Sequence, residues 1–469
     1  PADGSPHFIE GMQMPTKTLV KGAAWVLSMD PSIGDVAGCD VLIEDGVITA
    51  VAPGLSAADA DVLDGTDRIV VPGFIDTHRH LWQTAMRNIA ADWTLSQYLV
   101  GVLGGLAPVY RPEDVYAGNL LGALEALDHG ITTILDWSHC AIMTPEHTDA
   151  AVAALVESGM RAVYAYGNGA PIWFDGDSRA DWSDLRRLAE STLPGDGRLT
   201  LAAALRGPDF GTVDRSVDDW ATARELDVPI TVHIGVAGFA DRPVAQLAAR
   251  GILGPDTTYV HCSRLHDDEL AMIADSGGTA SVATEVEMHM GHGYPPTGRL
   301  VVAGVRPSLS IDVCTGIGGD MFTAMRATLA MQRALDNDAV IRAGGKPETL
   351  SITARDVLEF ATIEGARALR LEHRTGSITP GKDADLLLIR TDRLNMLPVN
   401  NPVASVALAA NTSNIDTIFV AGRVVKRDGV LTGADTKLVR QLAESSRDYL
   451  VSHTEGACLG GGWQPSGSW

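Results

Sequence analysis

Eight short apolar runs, each followed by a helical stretch, occupy the chain from residue 69 to about residue 320. The runs are rich in β-branched residues, and the stretches between them have helical periodicity, which together indicate repeated strand–helix units. Eight such units close into a (β/α)8 barrel, whose functional residues lie at the carboxyl ends of the strands. We predict strands that end near His80, His139, Asn168, Gly207, Ile234, Ser263, Thr284 and Asp312.

Both ends of the chain lack this rhythm and contain short strands with turns. Before residue 69, apolar runs flank Asp45-Gly46, a dipeptide typical of a β-hairpin. Near the other end, strands are predicted at residues 384–389, 415–421 and 423–426, followed by an amphipathic helix from Thr436. We expect an α/β fold: a TIM-like barrel over 69–374, a composite β-sandwich domain from 1–68 and 375–432, and a helix with a flexible tail over 433–469.

Charge and cysteine content narrow the class of protein. The 469 residues carry 36 Lys and Arg against 59 Asp and Glu, a net charge of −23, so neither nucleic acid nor an anionic membrane is expected as a partner. No apolar run is long enough to span a bilayer, and the first residues do not resemble a secretory signal. The 5 cysteines are scattered without paired spacing, which is typical of a protein in the reducing cytoplasm.

The segment 72–80 carries the strongest chemical signal. Alternate residues of a strand face the same way, so His78 and His80 would both point into the barrel while Arg79 points away. Two imidazoles at this spacing can share one metal ion. Taken alone, the pair is equally compatible with two histidines that are hydrogen-bonded within the core.

Three further polar residues, His233, His261 and Asp312, each end an apolar strand. All three lie on the face where barrel enzymes carry their active sites. A buried polar side chain needs a partner, and one divalent cation could serve several of them together. The histidine pair and these three residues therefore predict a metal site at the carboxyl ends of the strands.

A series of motifs follows in order between residues 72 and 389: PGFIDTHRH, GITTILD, VHIG, VHCSRL, LSIDVCTGIGGDMF and FATIEGARALRLEHRTGSITPGKDADLLLI. Together they resemble the amidohydrolase superfamily, in the branch of cytosine, guanine and S-adenosylhomocysteine deaminases and triazine hydrolases. The resemblance implies one Zn or Fe ion bound by His78, His80, His233 and Asp312. It also implies that His261 contacts the hydrolytic water or the substrate, and that the protein is a homo-oligomer.

The distribution of lysine favours a single ion. Binuclear members of this superfamily bridge their ions with a carboxylated lysine on a barrel strand, but this chain has no lysine between Lys21 and Lys346. One cation held by neutral histidines and a carboxylate lowers the pKa of bound water toward neutrality. By resemblance, Asp312 would be both ligand and general base, and His261 would orient the water or stabilise developing charge.

One position departs from the pattern of these deaminases. Their fifth-strand histidine begins an HxxE motif whose glutamate carries protons to the substrate ring, whereas this chain reads His233-Ile234-Gly235-Val236. Valine cannot transfer a proton. Either another acid replaces the glutamate, or the substrate does not need protonation of its ring.

Candidate replacements follow the seventh strand. In an extended segment, Glu285, Glu287 and His289 would lie on one side and face the site. Glu287 aligns with a position where deaminases carry a polar asparagine. The alternative is that all three are solvated loop residues.

Five more residues follow other strands and are candidate substrate contacts. His139 ends the second strand, Asp209 follows the fourth, and His266 comes soon after the sixth at a predicted helix start. Trp82 and Gln83 lie in the loop after the first strand and could line the pocket. For Trp82 and the two histidines, a structural role is the alternative.

These observations lead to one main hypothesis and two alternatives. The main hypothesis is a mononuclear metal-dependent hydrolase that uses metal-activated water on a C–N bond of a small cyclic or heteroaromatic substrate, with hydrolytic deamination as the reaction. Because Val236 replaces the glutamate, a second hypothesis keeps the metal but changes the reaction. The enzyme would then hydrolyse the bond to a substituted amine or a halide, open an amide or imide, or carry out non-hydrolytic metal chemistry. A third is a non-catalytic scaffold that has kept the fold.

Overall fold

The computed structural model of the protein describes residues 17–191, 193 and 196–454. Its strands are β1 (Lys17–Leu27), β2 (Asp35–Glu44), β3 (Val47–Ala52), β4 (Asp61–Asp64), β5 (Arg68–Pro72), β6 (Phe74–Arg79), β7 (Ile131–Cys140), β8 (Arg161–Gly169), β9 (Leu199–Leu205), β10 (Ile230–Ile234), β11 (Thr257–His261), β12 (Thr279–Val282), β13 (Ser308–Leu309), β14 (Leu386–Arg390), β15 (Ile415–Val420), β16 (Arg423–Arg427) and β17 (Val430–Leu431).

Its α-helices are α1 (Leu95–Tyr98), α2 (Pro112–Asp128), α3 (Pro145–Ser158), α4 (Ala170–Trp173), α5 (Ser183–Glu190), α6 (Gly207–Phe210), α7 (Val213–Glu225), α8 (Pro243–Ala249), α9 (Asp267–Ser276), α10 (Thr284–Met290), α11 (Thr297–Ala303), α12 (Met321–Arg342), α13 (Ala354–Phe360), α14 (Ile363–Ala368), α15 (Pro402–Ala404) and α16 (Thr436–His453). Two other helical segments matter below: a 3₁₀ segment at Leu81–Met86 and a π-helical segment at Leu99–Leu106.

Strands β6 to β13 form one parallel sheet in which each strand pairs with the next along the chain. Backbone hydrogen bonds close this sheet: the amide of Asp312 donates to the carbonyl of His78, and the amide of His80 donates to the carbonyl of Asp312, each over 2.9 Å. The predicted (β/α)8 barrel is therefore confirmed. The observed strands end at or near the predicted positions.

The barrel strands are buried on both faces, as a parallel sheet covered by helices must be. Every residue of β7, β10 and β11 is buried. The covering helices have conventional ends. Helix α3, for example, begins at Pro145 and stops at Gly159, whose φ of 77° suits glycine at a helix carboxyl end.

A second, mixed sheet is built from both ends of the chain, in the strand order β17-β16-β15-β14-β5-β1-β2-β3, with β4 pairing β1. The two chain ends meet where β5 and β14 pair antiparallel, with Ile69 opposite Ile389. The predicted hairpin is also present, since β2 and β3 are joined through Asp45 and Gly46, both with positive φ. The predicted division at residue 68 falls at the first residue of β5, so this sheet continues to Pro72.

Helix α16 packs on the outside of the barrel, as its amphipathic sequence predicts. Val439 joins Leu120 and Ala154 in a small apolar cluster, and the Arg111 guanidinium lies 3.4 Å above the Tyr449 ring. The expected flexible tail lies beyond residue 454, outside the described residues. Within the described ranges, none of the helices is long and apolar enough to cross a membrane.

A buried ion pair connects the barrel to the mixed sheet. Arg161, at the start of β8, donates from Nε to Asp385 over 2.7 Å and from Nη2 to Asp383 over 2.8 Å. The Arg161 side chain is 1% exposed and that of Asp385 is 0% exposed. A charge buried to this extent is stable only while its partner is present.

We therefore expect Arg161→Met to lower the free energy of unfolding by about 3–5 kcal/mol, because it leaves the Asp385 carboxylate buried without its cation. Urea unfolding followed by circular dichroism measures the change. The matched control is Arg342→Met, because the Arg342 side chain is 80% exposed and pairs only with exposed Asp338. An equal loss in both variants would contradict a special role for the buried pair.

Candidate metal centre

His78 and His80 both project from β6 into the barrel, and Arg79 between them projects the other way. The Arg79 guanidinium donates to Glu125 of α2 over 3.0 Å. This alternation is the one predicted from the spacing of the histidines. Because Arg79 is bound on the outside of the sheet, it fixes the face that the two imidazoles present.

The nitrogens of three histidines and the carboxylate of Asp312 converge in the barrel. The Nε2 atoms of His78 and His233 lie 3.2 Å apart. Asp312 Oδ1 lies 3.3 Å from His78 Nε2 and 3.4 Å from His80 Nε2. Tetrahedral ligands about 2.0–2.1 Å from a zinc ion are themselves about 3.3 Å apart, so each of these three donor pairs has the spacing expected of two ligands of one ion.

A hydrogen bond at Nδ1 of His80 leaves its Nε2 free to bind a metal. His80 Nδ1 lies 2.8 Å from the carbonyl oxygen of Trp137, so Nδ1 carries the proton and Nε2 keeps its lone pair for a metal. The Trp137 ring also packs on His233, with centroids 4.1 Å apart. Both contacts hold the imidazoles in place from behind.

Burial determines the charge of the cluster. It lowers the pKa of His233 and His78, and it lowers that of His80 to about 3, so these imidazoles are neutral. Burial would also raise the pKa of Asp312, but its hydrogen bond to His78 and the nearby histidines outweigh burial and hold this pKa well below its usual range. Neutral imidazoles with one carboxylate are ligands that divalent Zn and Fe accept.

His261 lies beside this cluster and is held by Glu287. Its Nδ1 lies 3.2 Å from Glu287 Oε1, and its Nε2 lies 3.7 Å from Asp312 Oδ2. Burial lowers the pKa of His261, but the Glu287 hydrogen bond and the nearby carboxylates raise it above its ordinary value. The φ angles of His261 and Asp312 are 73° and 67°, a left-handed conformation that residues other than glycine seldom adopt.

The segment after β12 is not extended, so the predicted grouping of Glu285, Glu287 and His289 on one side is wrong. Residues 284–290 form α10, in which two positions separate side chains by about 200° around the axis. Glu287 is fully buried and also accepts the Ala283 amide over 2.9 Å, which explains its position behind His261. Glu285 is half-buried outside the cavity, and His289 is exposed.

Two other predicted contacts lie away from the cavity. Asp209 uses its carboxylate to accept the amides of Val236 and Ala240, at 3.4 and 3.0 Å. It therefore fixes the loop after β10. His266 is exposed at the amino end of α9, where its amide donates to Glu269; it does not line the cavity.

The remaining predicted contacts are buried near the cavity. His139 lines it, with its ring centroid 4.7 Å from that of His80. Gln83 does not line the cavity itself. Its Nε2 donates to the hydroxyl of Tyr98 over 2.6 Å, and Tyr98 lines the cavity. Trp82 packs edge-on against Tyr110 with centroids 5.0 Å apart, which is the packing role given as its alternative.

The cavity over these candidate ligands is small and mostly apolar. Trp173, Phe210 and Val236 form part of its wall, and residues of α1 and the following π-helical segment cover it. Its free volume is about 30 Å³, whereas a cavity of roughly 150 Å³ accommodates benzene. A ring-sized ligand can therefore enter only when the cover or the wall side chains move.

His292 lines the same cavity and was not singled out from the sequence. It follows α10 between Gly291 and Gly293, both with positive φ, and its ring lies 4.8 Å from that of His261. The two flanking glycines are a signal of a tight turn that could have directed attention to it. The helix that carries the chain from β12 to this turn was not predicted, so its return to the cavity could not be inferred.

Comparison with known proteins gives a consistent result. The amidohydrolase family profile matches residues 69–425. The chain is 30% identical to a 5'-deoxyadenosine deaminase of Methanothermobacter thermautotrophicus over 445 residues, which are 91% of this chain and 99% of the relative.

Two solved structures have the same fold. An adenosine deaminase from Xanthomonas campestris with bound zinc superimposes with a TM-score of 0.80 at 24% identity, over 94% of this chain and 99% of the other. An atrazine chlorohydrolase variant from Arthrobacter aurescens, complexed with zinc and atraton, gives a TM-score of 0.81 at 21% identity, over 92% of this chain and 100% of the other.

We expect His80→Ala to lower the affinity for Zn²⁺ by at least about 100-fold, because the substitution removes one of four converging donors. Competition with a chromogenic zinc chelator measures this affinity. His373→Ala is the matched control, since His373 is exposed and does not line the cavity. Unchanged affinity in His80→Ala would contradict the assignment of these donors.

Proposed function

The chain belongs to the amidohydrolase family, and on that basis we propose that it hydrolyses a C–N bond of a small heteroaromatic molecule, with hydrolytic deamination as its reaction. One observation carries the proposal: inside the barrel, donor atoms of His78, His80, His233 and Asp312 are connected by distances of 3.2, 3.3 and 3.4 Å. The names of similar proteins support it, since they include a deaminase of 5'-deoxyadenosine and an enzyme crystallised with atraton.

We propose that the site holds one Zn or Fe ion. Zinc is bound in both structural neighbours described above, and the absence of lysine between Lys21 and Lys346 removes the usual bridge to a second ion. Such an ion, when bound, would lower the pKa of a coordinated water and so supply hydroxide near neutral pH.

The two oxygens of Asp312 suit different tasks. Oδ1 faces the Nε2 atoms of His78 and His80, whereas Oδ2 faces His261. Oδ1 is therefore placed to ligate, and Oδ2 is placed to accept a proton from the hydrolytic water and pass it to the leaving group. Glu287 holds the His261 ring so that its Nε2 faces the same space, where it can orient the water.

A second candidate reaction follows from Val236. Among the described residues that line the cavity, Asp312 is the one carboxylate, so no second acidic side chain is placed to protonate the substrate ring. Hydrolytic loss of a substituted amine or a halide depends less on protonation of the substrate ring than deamination does. The scaffold hypothesis is disfavoured because the metal ligands are all present and arranged for one ion.

The state of the cysteines suits a cytoplasmic protein. The described cysteines, Cys39, Cys140, Cys262 and Cys314, are all buried and unpaired, which suits the reducing cytoplasm. A homo-oligomer and a small-molecule substrate are expected from the family.

We expect Asp312→Asn to lower kcat by about 10²–10⁴-fold, because the amide cannot accept the proton from water. Turnover is measured on amino-substituted triazines, pyrimidines, purines and pterins, with ammonia quantified against substrate consumed. Asp338→Asn, at an exposed position, is the control and keeps full turnover. One ammonia per substrate supports deamination; product without ammonia would replace it by the second candidate, and equal turnover in both variants would contradict the role of Asp312.

A further inference from the structure

His292 is a buried polar side chain for which the proposed reaction has no use so far. It is 3% exposed, and neither its Nδ1 nor its Nε2 has a hydrogen-bond partner among the described residues. A buried donor or acceptor without a partner destabilises the folded protein. A residue that lines a ligand cavity recovers this free energy when the ligand supplies the missing partner.

The chemistry of His292 defines what that partner can be. Burial lowers its pKa to about 3, so the ring is neutral and presents one N–H donor and one nitrogen acceptor. A neutral imidazole suits the edge of an uncharged heterocycle, where ring nitrogens and exocyclic oxygens or amines alternate. It is less suited to a carboxylate or a phosphate, which form stronger hydrogen bonds with cationic donors.

The walls of the cavity also favour an uncharged ligand. Trp173 and Phe210 lie with ring centroids 5.6 Å apart, and Val236, Leu99 and Met290 add further apolar surface. None of the described lining residues is Lys or Arg. A charged ligand group placed against these walls, away from the metal ligands, would therefore be desolvated without a counterion, which is strongly unfavourable.

The polar lining groups that the metal site leaves free are few. Apart from His261, they are His139, His292 and the hydroxyl of Tyr98, and that hydroxyl already accepts from Gln83. A ribose brings several hydroxyl groups that would need partners. The cavity, with a free volume of about 30 Å³, must expand for any ring, and it must expand further for a nucleoside.

We propose that His292 is a substrate-binding residue that hydrogen-bonds to the polar edge of an uncharged, flat heterocycle, and that the site takes such rings as free bases rather than as nucleosides. This inference rests on the proposed function, because it concerns the same cavity. His292 contributes a hydrogen bond on the β12 side of the metal ligands, while Val236 leaves the β10 side apolar.

The test compares three variants of the metal-loaded protein: His292→Phe, which keeps a ring but no polar atom; His292→Gln, which keeps a donor and an acceptor; and His373→Phe at an exposed position. The probes are 2,4-diamino-1,3,5-triazine, cytosine and adenine, with cytidine and adenosine as the matched nucleosides. Metal content and thermal unfolding are measured first for every variant. Binding is then measured by calorimetry, and KM and kcat for every probe that turns over.

We expect wild type to bind at least one free base more tightly than the matched nucleoside. His292→Phe should weaken that binding and raise KM by about 5–100-fold at unchanged metal content, which corresponds to a lost buried hydrogen bond. His292→Gln should recover part of the loss, and His373→Phe should behave as wild type. If His292→Phe does not fold, an intermediate affinity in His292→Gln carries the same conclusion.

Two outcomes would overturn the inference without affecting the proposed function. One is hydrolysis of a ring with KM unchanged in His292→Phe. The other is tighter binding and faster turnover of the nucleosides than of the free bases. Conversely, binding that depends on His292 without hydrolysis of any probe would count against the proposed function and keep the inference. If wild type binds none of the free bases, the inference is wrong.

Discussion

Two backbone hydrogen bonds between the first and last strands of the barrel set the geometry on which the site depends. The carbonyl of His78 and the amide of His80 pair with the amide and carbonyl of Asp312, so ligands more than 200 residues apart become neighbours. Asp76 strengthens this closure, because its carboxylate accepts the amides of His78 and Ile311. The resulting φ of 67° at Asp312 stores strain of about 1–3 kcal/mol, which the hydrogen bonds around it offset.

The burial that closes the barrel also sets the chemistry of the cavity. It keeps the imidazoles of His78, His80 and His233 neutral, while hydrogen bonding keeps Asp312 ionised, and this combination suits a divalent cation. It also makes the cavity apolar, with Val236 and Trp173 in its wall. Each polar contact to a ligand is worth more in such surroundings, because water does not compete for it. Metal binding and the choice of ligand thus have a common physical origin.

The sequence predicts the parts of this structure that depend on strand periodicity. Alternation within one strand places His78 and His80 together, and strand ends place His233, His261 and Asp312 on one face; the structure brings these five residues together. The sequence could not predict the position of α10, because Glu287 on this helix becomes buried only by pairing with His261, which lies on β11. The prediction for His266 failed for a related reason, since a histidine near a strand end can turn outward at the start of a helix.

The central claim is that one ion occupies the point on which these donors converge, and X-ray absorption at the metal edge of the protein as purified tests it most directly. We expect a first shell of nitrogen and oxygen alone, at about 2.0–2.2 Å for zinc, at about one ion per chain. A metal–metal distance of about 3.5–4 Å would contradict the single ion. Sulfur in the first shell, or protein that cannot be loaded with metal, would contradict the assigned ligands.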